Sequence, residues 1–305
     1  MNKRRLVINI LTNNRISELC ICLTSLINQS FQDWDLVIID DHSTRDCREY
    51  KFFNDLIGRI KSDGHGLIIY RHDVPWLDIG KARNHCVELS KTFPHNTCEF
   101  ICRVDDDSLL DKDYIKKLYE VISNSKDDVA AVGGVVPVLG NPNLYLKVPK
   151  VFNEVKWDME GNITSMGDDG GVDYHYKEEY IDILDKEKST SKIPTIKEIQ
   201  IEPKPIQSHH LRSSFMFKTS VHDIEPHPIE YGPTGYREES DLTIRWTLNG
   251  YKLLTDVSAV CYHQQARSGG ARLPGPQYKE QARMNDEHFR AKMKYLFNKK
   301  GGIKL

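Results

Sequence analysis

Residues 100–107 read Phe100-Ile101-Cys102-Arg103-Val104-Asp105-Asp106-Asp107, an apolar, strand-like run that ends in three adjacent carboxylates. Neighbouring carboxylates repel one another unless a cation neutralises them, and hard divalent cations such as Mg²⁺ and Mn²⁺ prefer oxygen ligands of this kind. Side chains at positions i and i+2 of a strand point to the same face. We therefore expect Asp105 and Asp107 to converge on one site while Asp106 points elsewhere. The pattern outlines a site for a metal ion and a phosphate group.

Two other interpretations of this acidic cluster have to be weighed. A solvated acidic turn that caps a helix starting near Lys112 explains an isolated cluster equally well, so these residues alone leave it open. An EF-hand calcium loop is excluded, because Leu109 stands where a ligand is needed and Leu110 stands where the turn needs glycine. Motifs elsewhere in the chain are needed to distinguish a metal site from an acidic helix cap.

Composition indicates a globular protein with enough sequence for a large buried core. The chain has 305 residues, of which 39% are hydrophobic and 28% are charged. A net charge of −2 disfavours a dedicated nucleic-acid binder without excluding one. Seven cysteines without a Cys-x-x-Cys spacing favour reduced thiols in a cytosolic compartment.

The two ends of the chain bear on possible contact with a membrane. The apolar run at residues 6–10 is too short for a signal peptide or a membrane span, so we expect a cytoplasmic protein without a transmembrane segment. Residues 277–305 hold eight Lys or Arg against three acids. This basic tail fits a solvated helical face, and it leaves peripheral contact with a membrane or an anionic acceptor open.

Strand and helix patterns alternate along the first 135 residues. The predicted strands are 6–11, 36–39, 66–70 and 100–104, and the predicted helices are 16–28, 50–60, 79–90 and 113–123. This βα alternation predicts an α/β fold with a mostly parallel, Rossmann-like sheet and helices on both faces. A further strand is predicted at 211–217. Between 137 and 210 six prolines, the run 166–171 and the charge-rich stretch 177–192 indicate long loops or an insertion.

Three polar clusters follow predicted strands, at the edge where parallel sheets bind ligands. They are residues 12–15, residues 40–43 and the carboxylates at 105–107. Their coincidence is stronger evidence for a ligand site than any one cluster. The sequence contains neither the glycine-rich fingerprint of dinucleotide-binding proteins after the first strand nor the P-loop pattern. These absences disfavour a dinucleotide-binding protein and a P-loop nucleotide-binding protein.

Several motifs follow one another in a characteristic order over about residues 5–270. They are Thr12-x-Asn14-Arg15, Ser25-x-x-x-Gln29-Ser30, Asp40-Asp41-x-Ser43, Gly80-x-Ala82-Arg83-Asn84, Asp105-x-Asp107, Glu238-Glu239-x-Asp241-Leu242-x-x-Arg245-Trp246 with Gly250-Tyr251-Lys252 behind it, and Tyr262-His263 before Ser268-Gly269-Gly270. Their order resembles that of the family 2 glycosyltransferases, which have the GT-A fold.

This resemblance implies a role for each matching residue on the donor side. Asp41 would hydrogen-bond a nucleobase, and Asp105 would hold the ribose side. Asp107 would ligate Mn²⁺ or Mg²⁺, with His263 completing the metal shell. The remaining donor-binding residues would be Thr12, Asn14, Arg15, Arg83 and Asp106. A lone histidine at a strand end is also a common structural residue, and that interpretation of His263 stays open.

Three acidic residues are candidates for the catalytic base. Glu239 stands six residues before Arg245, the spacing that the family uses for its catalytic carboxylate, and Glu238 and Asp241 are the substitutes. Acidic residues in a first helical turn also stabilise the helix dipole without any catalytic role. One base and a cation suffice for a single in-line displacement of a nucleoside diphosphate with inversion.

We therefore predict a metal-dependent, inverting glycosyltransferase with a nucleotide-sugar-binding half (1–135), an acceptor-binding and catalytic half (136–270) and a basic helical tail (271–305). A UDP- or dTDP-sugar is the favoured donor, and a glycan, lipid-linked or other hydroxyl acceptor is expected. The loop 264–277, with Arg267 and Arg272, could close over the diphosphate, and residues 174–176 could stack on a sugar. The alternatives are a sugar-phosphate nucleotidyltransferase and a non-catalytic carbohydrate-binding or scaffold protein with the same fold.

Overall fold

The computed structural model describes residues 4–75, 78–137, 153–166, 205–264, 269–270 and 275–301. The strands in this part of the chain are β1 (Arg4–Thr12), β2 (Trp34–Asp40), β3 (Leu67–Arg71), β4 (Asn96–Asp105), β5 (Ser108–Leu110), β6 (Val129–Val135), β7 (Val155–Trp157), β8 (Ile163–Met166), β9 (Ile206–Ser208), β10 (Phe215–Lys218) and β11 (Lys252–His263). The helices are α1 (Ile16–Ile27), α2 (Lys51–Ser62), α3 (Ile79–Ser90), α4 (Tyr114–Ser123), α5 (Thr219–Ile224), α6 (Glu238–Leu248) and α7 (Gly275–Lys300).

Nine of these strands form one sheet in the order β3-β2-β1-β4-β10-β6-β11-β5, with β9 paired to β11. Strands β3, β2, β1 and β4 are mutually parallel, as the βα alternation predicts. Strand β10 runs antiparallel between β4 and β6, and β6 is parallel to β11. The parallel half therefore directs the carboxyl ends of β1, β2 and β4 to one edge, and strands from both predicted halves complete the same sheet.

Helices cover both faces of the sheet, which confirms the predicted α/β architecture. Along β1, Leu6, Ile8 and Ile10 pack with the core residues of α1, α2 and α4. The alternate residues Val7 and Leu11 pack on the opposite face with α3 and α6. Both faces of these strands are buried, and this is why the strands appear in the sequence as continuous apolar runs.

The predicted elements of the first 123 residues all occur, with ends that differ by a few residues. The helix expected near Lys112 begins at Tyr114. The strand predicted at 211–217 is too long, because it begins only at Phe215. Ser213 has a φ of 55°, in the left-handed region, so the chain turns there before the strand starts.

Much of the loose region predicted between 137 and 210 lies outside the described residues. This applies to residues 174–176, 177–192 and most of the run 166–171, and also to Arg267 and Arg272. The described part includes the β7–β8 hairpin, which packs with α6 and α7 in a separate small core. Phe289 and Met293, four residues apart on α7, are fully buried there, so one face of the basic tail is a packing face.

Helix α3 approaches the chain around residue 228 so closely that one position accepts only glycine. A Cβ on Gly80 would lie 1.8 Å from the carbonyl oxygen of Pro228. We expect Gly80→Ala to lower the free energy of unfolding by about 1–3 kcal/mol, because the helix or the loop has to shift. Denaturant unfolding measures this.

Gly58 provides the matched control on another helix. It is an exposed α2 position where an added Cβ meets nothing within 4 Å. Gly58→Ala should raise the free energy of unfolding by about 0.5–1 kcal/mol through the ordinary helix preference for alanine. Equal unfolding midpoints for the two variants would show that the Pro228 contact relaxes without cost.

Candidate active site

A cleft of about 540 Å³ opens at the carboxyl edge of the parallel strands. It is lined by ten of the twelve residues that the sequence singles out: Thr12, Arg15, Asp41, Arg83, Asp105, Asp106, Asp107, Glu238, Glu239 and His263. They come from the ends of β1, β2, β4 and β11 and from the first turns of α3 and α6. The topology therefore brings together groups that lie up to 251 residues apart, from Thr12 to His263.

Asp105 ends β4 and is held by groups from two neighbouring elements. Its Oδ1 accepts a 2.6 Å hydrogen bond from Arg83 Nη2, and its Oδ2 accepts one of 3.0 Å from Ser213 Oγ. Burial acts to raise the pKa of Asp105, but the charges of Arg103 and Arg83 outweigh it and lower the pKa below its usual value. Asp105 is therefore a fixed carboxylate on the cleft wall.

Asp106 and Asp107 share one guanidinium. Arg15 Nη1 lies 3.0 Å from Asp106 Oδ1 and 3.2 Å from Asp107 Oδ2. Thr12 Oγ1 donates a further 2.8 Å hydrogen bond to Asp106. The expectation that Asp106 points away from the site is wrong, because β4 ends at Asp105 and strand alternation does not extend into the turn. Burial raises the pKa of Asp106 to about 6, although Arg15 opposes the shift.

His263 reaches Asp107 through strand pairing. Strand β5, directly after the acidic turn, pairs antiparallel with the end of β11 and sets Ser108 opposite His263. His263 Nε2 consequently lies 3.2 Å from Asp107 Oδ2. Burial opposes protonation of His263, but the hydrogen bond and charge of Asp107 prevail and raise the imidazole pKa. In turn, this bond lowers the pKa of Asp107 against the effect of burial.

Asp41 is fixed through its backbone to the loop that follows β1. Its N–H donates to the carbonyl of Thr12 at 2.8 Å, and its carbonyl accepts from Asn13 Nδ2 at 2.6 Å. The Asp41 carboxylate lines the cleft and is 2.7 Å from His72 Nδ1. Asn14 does not line this cleft. Its Oδ1 accepts from the Thr44 N–H at 2.7 Å, beside a smaller cavity of about 220 Å³.

Two glutamates at the start of α6 share a buried arginine from β4. Arg103 Nη1 donates to Glu238 Oε2 at 2.9 Å, and Arg103 Nη2 donates to Glu239 Oε2 at 2.8 Å. Glu238 also bonds His227 Nδ1, and its side chain is only 2% exposed. The Glu239 side chain is 27% exposed towards the cleft and accepts a further hydrogen bond from the Ser213 N–H at 3.1 Å.

The two glutamates differ in proton affinity. Burial raises the pKa of Glu239, and the negative charges of Asp105 and Glu238 add to the effect against the opposing charge of Arg103. For Glu238, burial is overcome by Arg103 and His227, which lower the pKa well below its usual value. Arg103 is thus mainly neutralised by Glu238, and Glu239 is left as the more basic carboxylate.

Asp241, the third sequence candidate, lies on the other side of α6. It is fully buried and does not line the cleft. Its Oδ1 accepts from Arg245 Nε at 2.5 Å, and its Oδ2 accepts from Tyr231 OH at 2.6 Å and lies 3.0 Å from Lys292 Nζ. Both oxygens are engaged, so Asp241 ties α6 to the neighbouring segments.

Several cleft residues were not predicted from the sequence. Arg103 could have been found, because it is the one charged residue in an apolar run and shares a strand face with Asp105. Arg212, Tyr236, Arg237 and Tyr278 also line the cleft. Arg212 and Tyr236 lie in irregular segments, Arg237 precedes α6, and Tyr278 is in the first turn of α7.

Gly269 and Gly270 lie directly against the loop that follows β1. The Gly270 N–H donates to the Asn13 carbonyl at 2.7 Å, and a Cβ on Gly270 would lie 2.6 Å from Arg15 Cζ. Both glycines have positive φ values, 74° and 62°. This close approach puts Gly270 on the cleft wall, while residues 265–268 and 271–274 of the predicted closing loop lie outside the described residues.

Among the described residues, a different group of metal-binding side chains lies close enough together to hold an ion: Asp40, Asp46 and Cys47. Arg71 already provides the positive charge there, since its Nη1 lies 2.8 Å from Asp40 Oδ2. Asp40 Oδ1 and Oδ2 also accept from the N–H groups of Ser43 and Cys47. This cluster therefore stabilises the loop after β2.

Comparison with protein families gives one clear result. The sequence profile described as "Glycosyl transferase family 2" matches residues 7–177, which is more than half of the chain. The chain belongs to glycosyl transferase family 2. The match includes β1, β2 and β4 with the polar clusters that follow them, and it confirms the family suggested by the motif order. No curated protein matches the sequence.

Solved structures share the fold of this family 2 chain at low sequence identity. Staphylococcus aureus TarS has a TM-score of 0.52 and 15% identity, with 85% of this chain and 36% of that chain covered. TarS 1-349 in complex with UDP-GlcNAc has a TM-score of 0.54 and 14% identity, with coverage of 92% and 65%. GalNAc-T7 with UDP, GalNAc and Mn²⁺ has a TM-score of 0.58 and 15% identity, with coverage of 99% and 55%.

These likenesses establish the GT-A fold predicted from the sequence. The family 2 chain spans less than two thirds of each of these proteins. Among its described helices, none combines the length and apolar character needed to cross a membrane.

Proposed function

We propose that this family 2 chain transfers a sugar from a nucleoside-diphosphate sugar to an acceptor hydroxyl, with inversion and with the help of a divalent cation. The observation that carries the proposal is that Glu239 faces the same cleft as the Asp105–Asp107 turn and His263. A partly exposed carboxylate and the proposed cation ligands therefore line the same cleft. These are the two groups that the displacement of a diphosphate by a hydroxyl requires.

The donor would occupy the side of the cleft formed by β1, β2 and β4. Asp41 would accept a hydrogen bond from the nucleobase, and Arg83 and Asp105 line the same cleft. Arg83 Nε and Nη1 are buried and have no hydrogen-bond partner among the described residues, which suits an oxygen-rich ligand such as ribose or phosphate. The UDP-GlcNAc and UDP in the complexes of TarS 1-349 and GalNAc-T7 make a UDP-sugar the first donor to test.

Asp107 and His263 are the proposed cation ligands. Their facing atoms, Oδ2 and Nε2, are 3.2 Å apart at the cleft, and a carboxylate with an imidazole is a ligand pair that suits Mn²⁺. Arg15 Nη1 lies 3.2 Å from the same Asp107 Oδ2, so a bound cation would share this oxygen with the guanidinium or displace it. Mn²⁺ or Mg²⁺ bound here would neutralise the charge that develops on the departing diphosphate.

Glu239 is the proposed catalytic base. It combines exposure to the cleft with a raised pKa, whereas Glu238 is buried against Arg103 and His227 and Asp241 does not line the cleft. The carboxylate would take the proton from the acceptor hydroxyl as that oxygen bonds to the anomeric carbon. The bond from this carbon to the diphosphate breaks in the same displacement, so one base gives inversion.

Different parts of the chain would bind the donor and the acceptor. Residues 1–135 would bind the donor, and residues 136–270 would supply the acceptor side and the base, with a basic tail at 271–305. The acceptor would be a glycan, a lipid-linked sugar or another hydroxyl compound, reached in the cytoplasm or at a membrane surface.

Calorimetric titration tests the donor part of this proposal. UDP, dTDP, GDP and CDP are each titrated with Mn²⁺ and then with EDTA. Tight binding of one nucleotide only in the presence of metal supports the proposal and defines the sugar donors to assay. Binding of none of them would favour a non-catalytic protein. Turnover of a sugar phosphate with a nucleoside triphosphate would favour the nucleotidyltransferase alternative.

The pH profile tests the role of Arg103 beside the base. Glu239 can take up a proton only when it is ionised. Because its pKa is raised above the usual 4.5, kcat/KM should fall as the pH drops through this raised pKa. Arg103→Lys keeps the positive charge but loses the fork that bonds both glutamates. We expect this acid limb to move to higher pH, because the ionised Glu239 loses a hydrogen bond that favours it.

Arg5 offers the matched control for this substitution. Its guanidinium also makes a two-pronged contact with a glutamate, Glu99, but on the exposed surface at the opposite end of β1 and β4 from the cleft. Arg5→Lys should leave the pH profile unchanged. An unchanged profile in Arg103→Lys as well would remove Arg103 from the control of the base.

A further inference from the structure

The carboxylate of Glu238 lies between two buried partners. Its Oε2 accepts from Arg103 Nη1 at 2.9 Å, and its Oε1 contacts Nδ1 of His227. His227 is only 3% exposed and does not line the cleft. On the other side of Glu238, the second terminal nitrogen of Arg103 donates to Glu239 at 2.8 Å. A continuous row of four side chains thus leads from buried His227 through Glu238 and Arg103 to Glu239 at the cleft.

Helix α3 holds the backbone of His227. Asn84 Oδ1 accepts a 3.0 Å hydrogen bond from the His227 N–H, and Asn84 Nδ2 donates one of 3.0 Å to the His227 carbonyl. Asn84 Oδ1 also lies 3.0 Å from Nε2 of buried His222. Asn84 directly follows Arg83, which bonds Asp105 in the cleft. The position of His227 is therefore fixed relative to the donor side of the cleft.

The contacts define where the proton between His227 and Glu238 lies. Burial acts against ionisation of Glu238, but Arg103 and His227 lower its pKa well below the usual value. An ionised carboxylate only accepts, so His227 Nδ1 has to donate. Burial lowers the pKa of His227 although Glu238 opposes the shift, which agrees with a neutral imidazole. His227 thus supplies an N–H to Glu238 without adding a positive charge next to Arg103.

We propose that His227 is a positioning residue for Glu239. It holds Glu238 on one terminal nitrogen of Arg103, so that the other terminal nitrogen keeps Glu239 directed into the cleft. His227 touches no substrate in this arrangement and acts only through Glu238 and Arg103. The inference rests on the proposed role of Glu239 as the catalytic base.

The physical basis is the cost of leaving a buried carboxylate oxygen without a partner. The Glu238 side chain is only 2% exposed, so water can hardly replace a lost His227 N–H. Arg103 Nε is buried and has no hydrogen-bond partner among the described residues, so the guanidinium has a donor left for Glu238. Turning the guanidinium to use this donor would move Nη2 away from Glu239. Glu239 would then keep the hydrogen bond from the Ser213 N–H and lose the one that orients it from β4.

Two substitutions at position 227 separate the hydrogen bond from the space that the ring fills. His227→Asn and His227→Leu have side chains of similar size, and only asparagine places an N–H donor near the position of Nδ1. The probe is UDP-GlcNAc with Mn²⁺ and with water as the acceptor, and the release of UDP gives kcat and KM. His227→Leu should lower kcat by about 10–100-fold, because a misplacement of about 1 Å costs up to about 10²-fold. His227→Asn should keep most of the wild-type kcat.

Binding of UDP separates a misplaced base from a damaged cleft. Because His227 does not line the cleft, calorimetric titration with UDP and Mn²⁺ should give the same Kd for the wild type and both variants. If His227→Leu does not fold, Asn84→Ala is the second variant. It removes both hydrogen bonds to the His227 backbone and should also lower kcat at unchanged Kd. An unchanged kcat in Asn84→Ala would then contradict the inference.

His65→Leu is the matched control for the loss of a buried histidine. His65 is 7% exposed, and its Nδ1 lies 2.7 Å from the carbonyl of Trp34, at the amino end of β2 and away from the cleft. This variant should unfold at a lower temperature and keep the wild-type kcat. An equal loss of kcat in His65→Leu and His227→Leu would overturn the inference, because general destabilisation would explain both.

The outcomes also separate this inference from the proposed function. If the wild type neither binds UDP nor releases it from UDP-GlcNAc, the proposed function fails and the role of His227 fails with it. Binding of UDP without its release would leave nucleotide binding in place and overturn both the base and its positioning residue. If the wild type releases UDP and His227→Leu keeps the wild-type kcat, the proposed function stands and only the role of His227 is overturned. Equal losses in His227→Asn and His227→Leu would overturn the role of the N–H donor.

Discussion

Glu239→Gln is expected to lower turnover by about 10²–10⁴-fold while donor binding stays close to wild type. Glutamine keeps the shape of the side chain and accepts the hydrogen bonds from Arg103 and the Ser213 N–H, but it cannot take a proton from the acceptor. Burial raises the pKa of Glu239, so the ionised form costs folding stability at neutral pH. The variant should therefore unfold at the same temperature as wild type or a higher one. Steady-state kinetics and thermal unfolding measure both effects.

Asp241→Asn is the control on the same helix. It weakens a buried ion pair with Arg245 and the contact with Lys292, so we expect a lower unfolding midpoint and no collapse of turnover in the folded protein. Glu239→Gln should thus lose turnover and keep its stability, and Asp241→Asn should lose stability and keep its turnover. Full activity in Glu239→Gln would transfer the role of base to Glu238.

Asp107→Ala is expected to abolish the metal-dependent part of nucleotide binding. Asp107 supplies the carboxylate that faces His263, and without it the proposed cation keeps one protein ligand of the pair. Binding of the nucleoside diphosphate should then be the same with Mn²⁺ and with EDTA. Calorimetric titration of both proteins under the two conditions measures the loss.

Asp46→Asn is the matched control, because Asp46 belongs to the other acidic group, beside Asp40 and Cys47. It should keep the wild-type response to Mn²⁺. If Asp46→Asn loses the response and Asp107→Ala retains it, the cation binds at the loop after β2, and Asp107 has no part in the metal site.

The parallel half of the fold could be predicted from the sequence for a simple reason. Strands such as β1 and β2 are buried on both faces, so their sequences are unbroken apolar runs, and α1 and α2 follow them with helical periodicity. The ends of parallel strands lie at one edge by necessity. Residues 12–15, 40–43 and 105–107 could therefore be placed together without coordinates.

The antiparallel half could not be predicted in the same way. Strand β10 has four residues and starts after a left-handed serine, so period-two alternation over 211–217 misplaced its beginning. From the sequence, Glu239 is favoured as the base only by its spacing to Arg245, and Glu238 and Asp241 in the same helical turn remain as substitutes. Only packing separates them, since Arg103 comes from β4 and Tyr231 from a loop.

The pairing of β5 with β11 has a consequence for how the chain tolerates changes in length. His263 faces Asp107 because three ladder pairs, from Leu110 with Cys261 to Ser108 with His263, fix the register. A substitution in this ladder leaves the spacing intact. An inserted or deleted residue between 260 and 263 would turn the imidazole to the opposite face of the sheet. The distance between Asp107 and His263 thus depends on the number of residues in β11. A shift of one residue would separate these two side chains although neither is substituted.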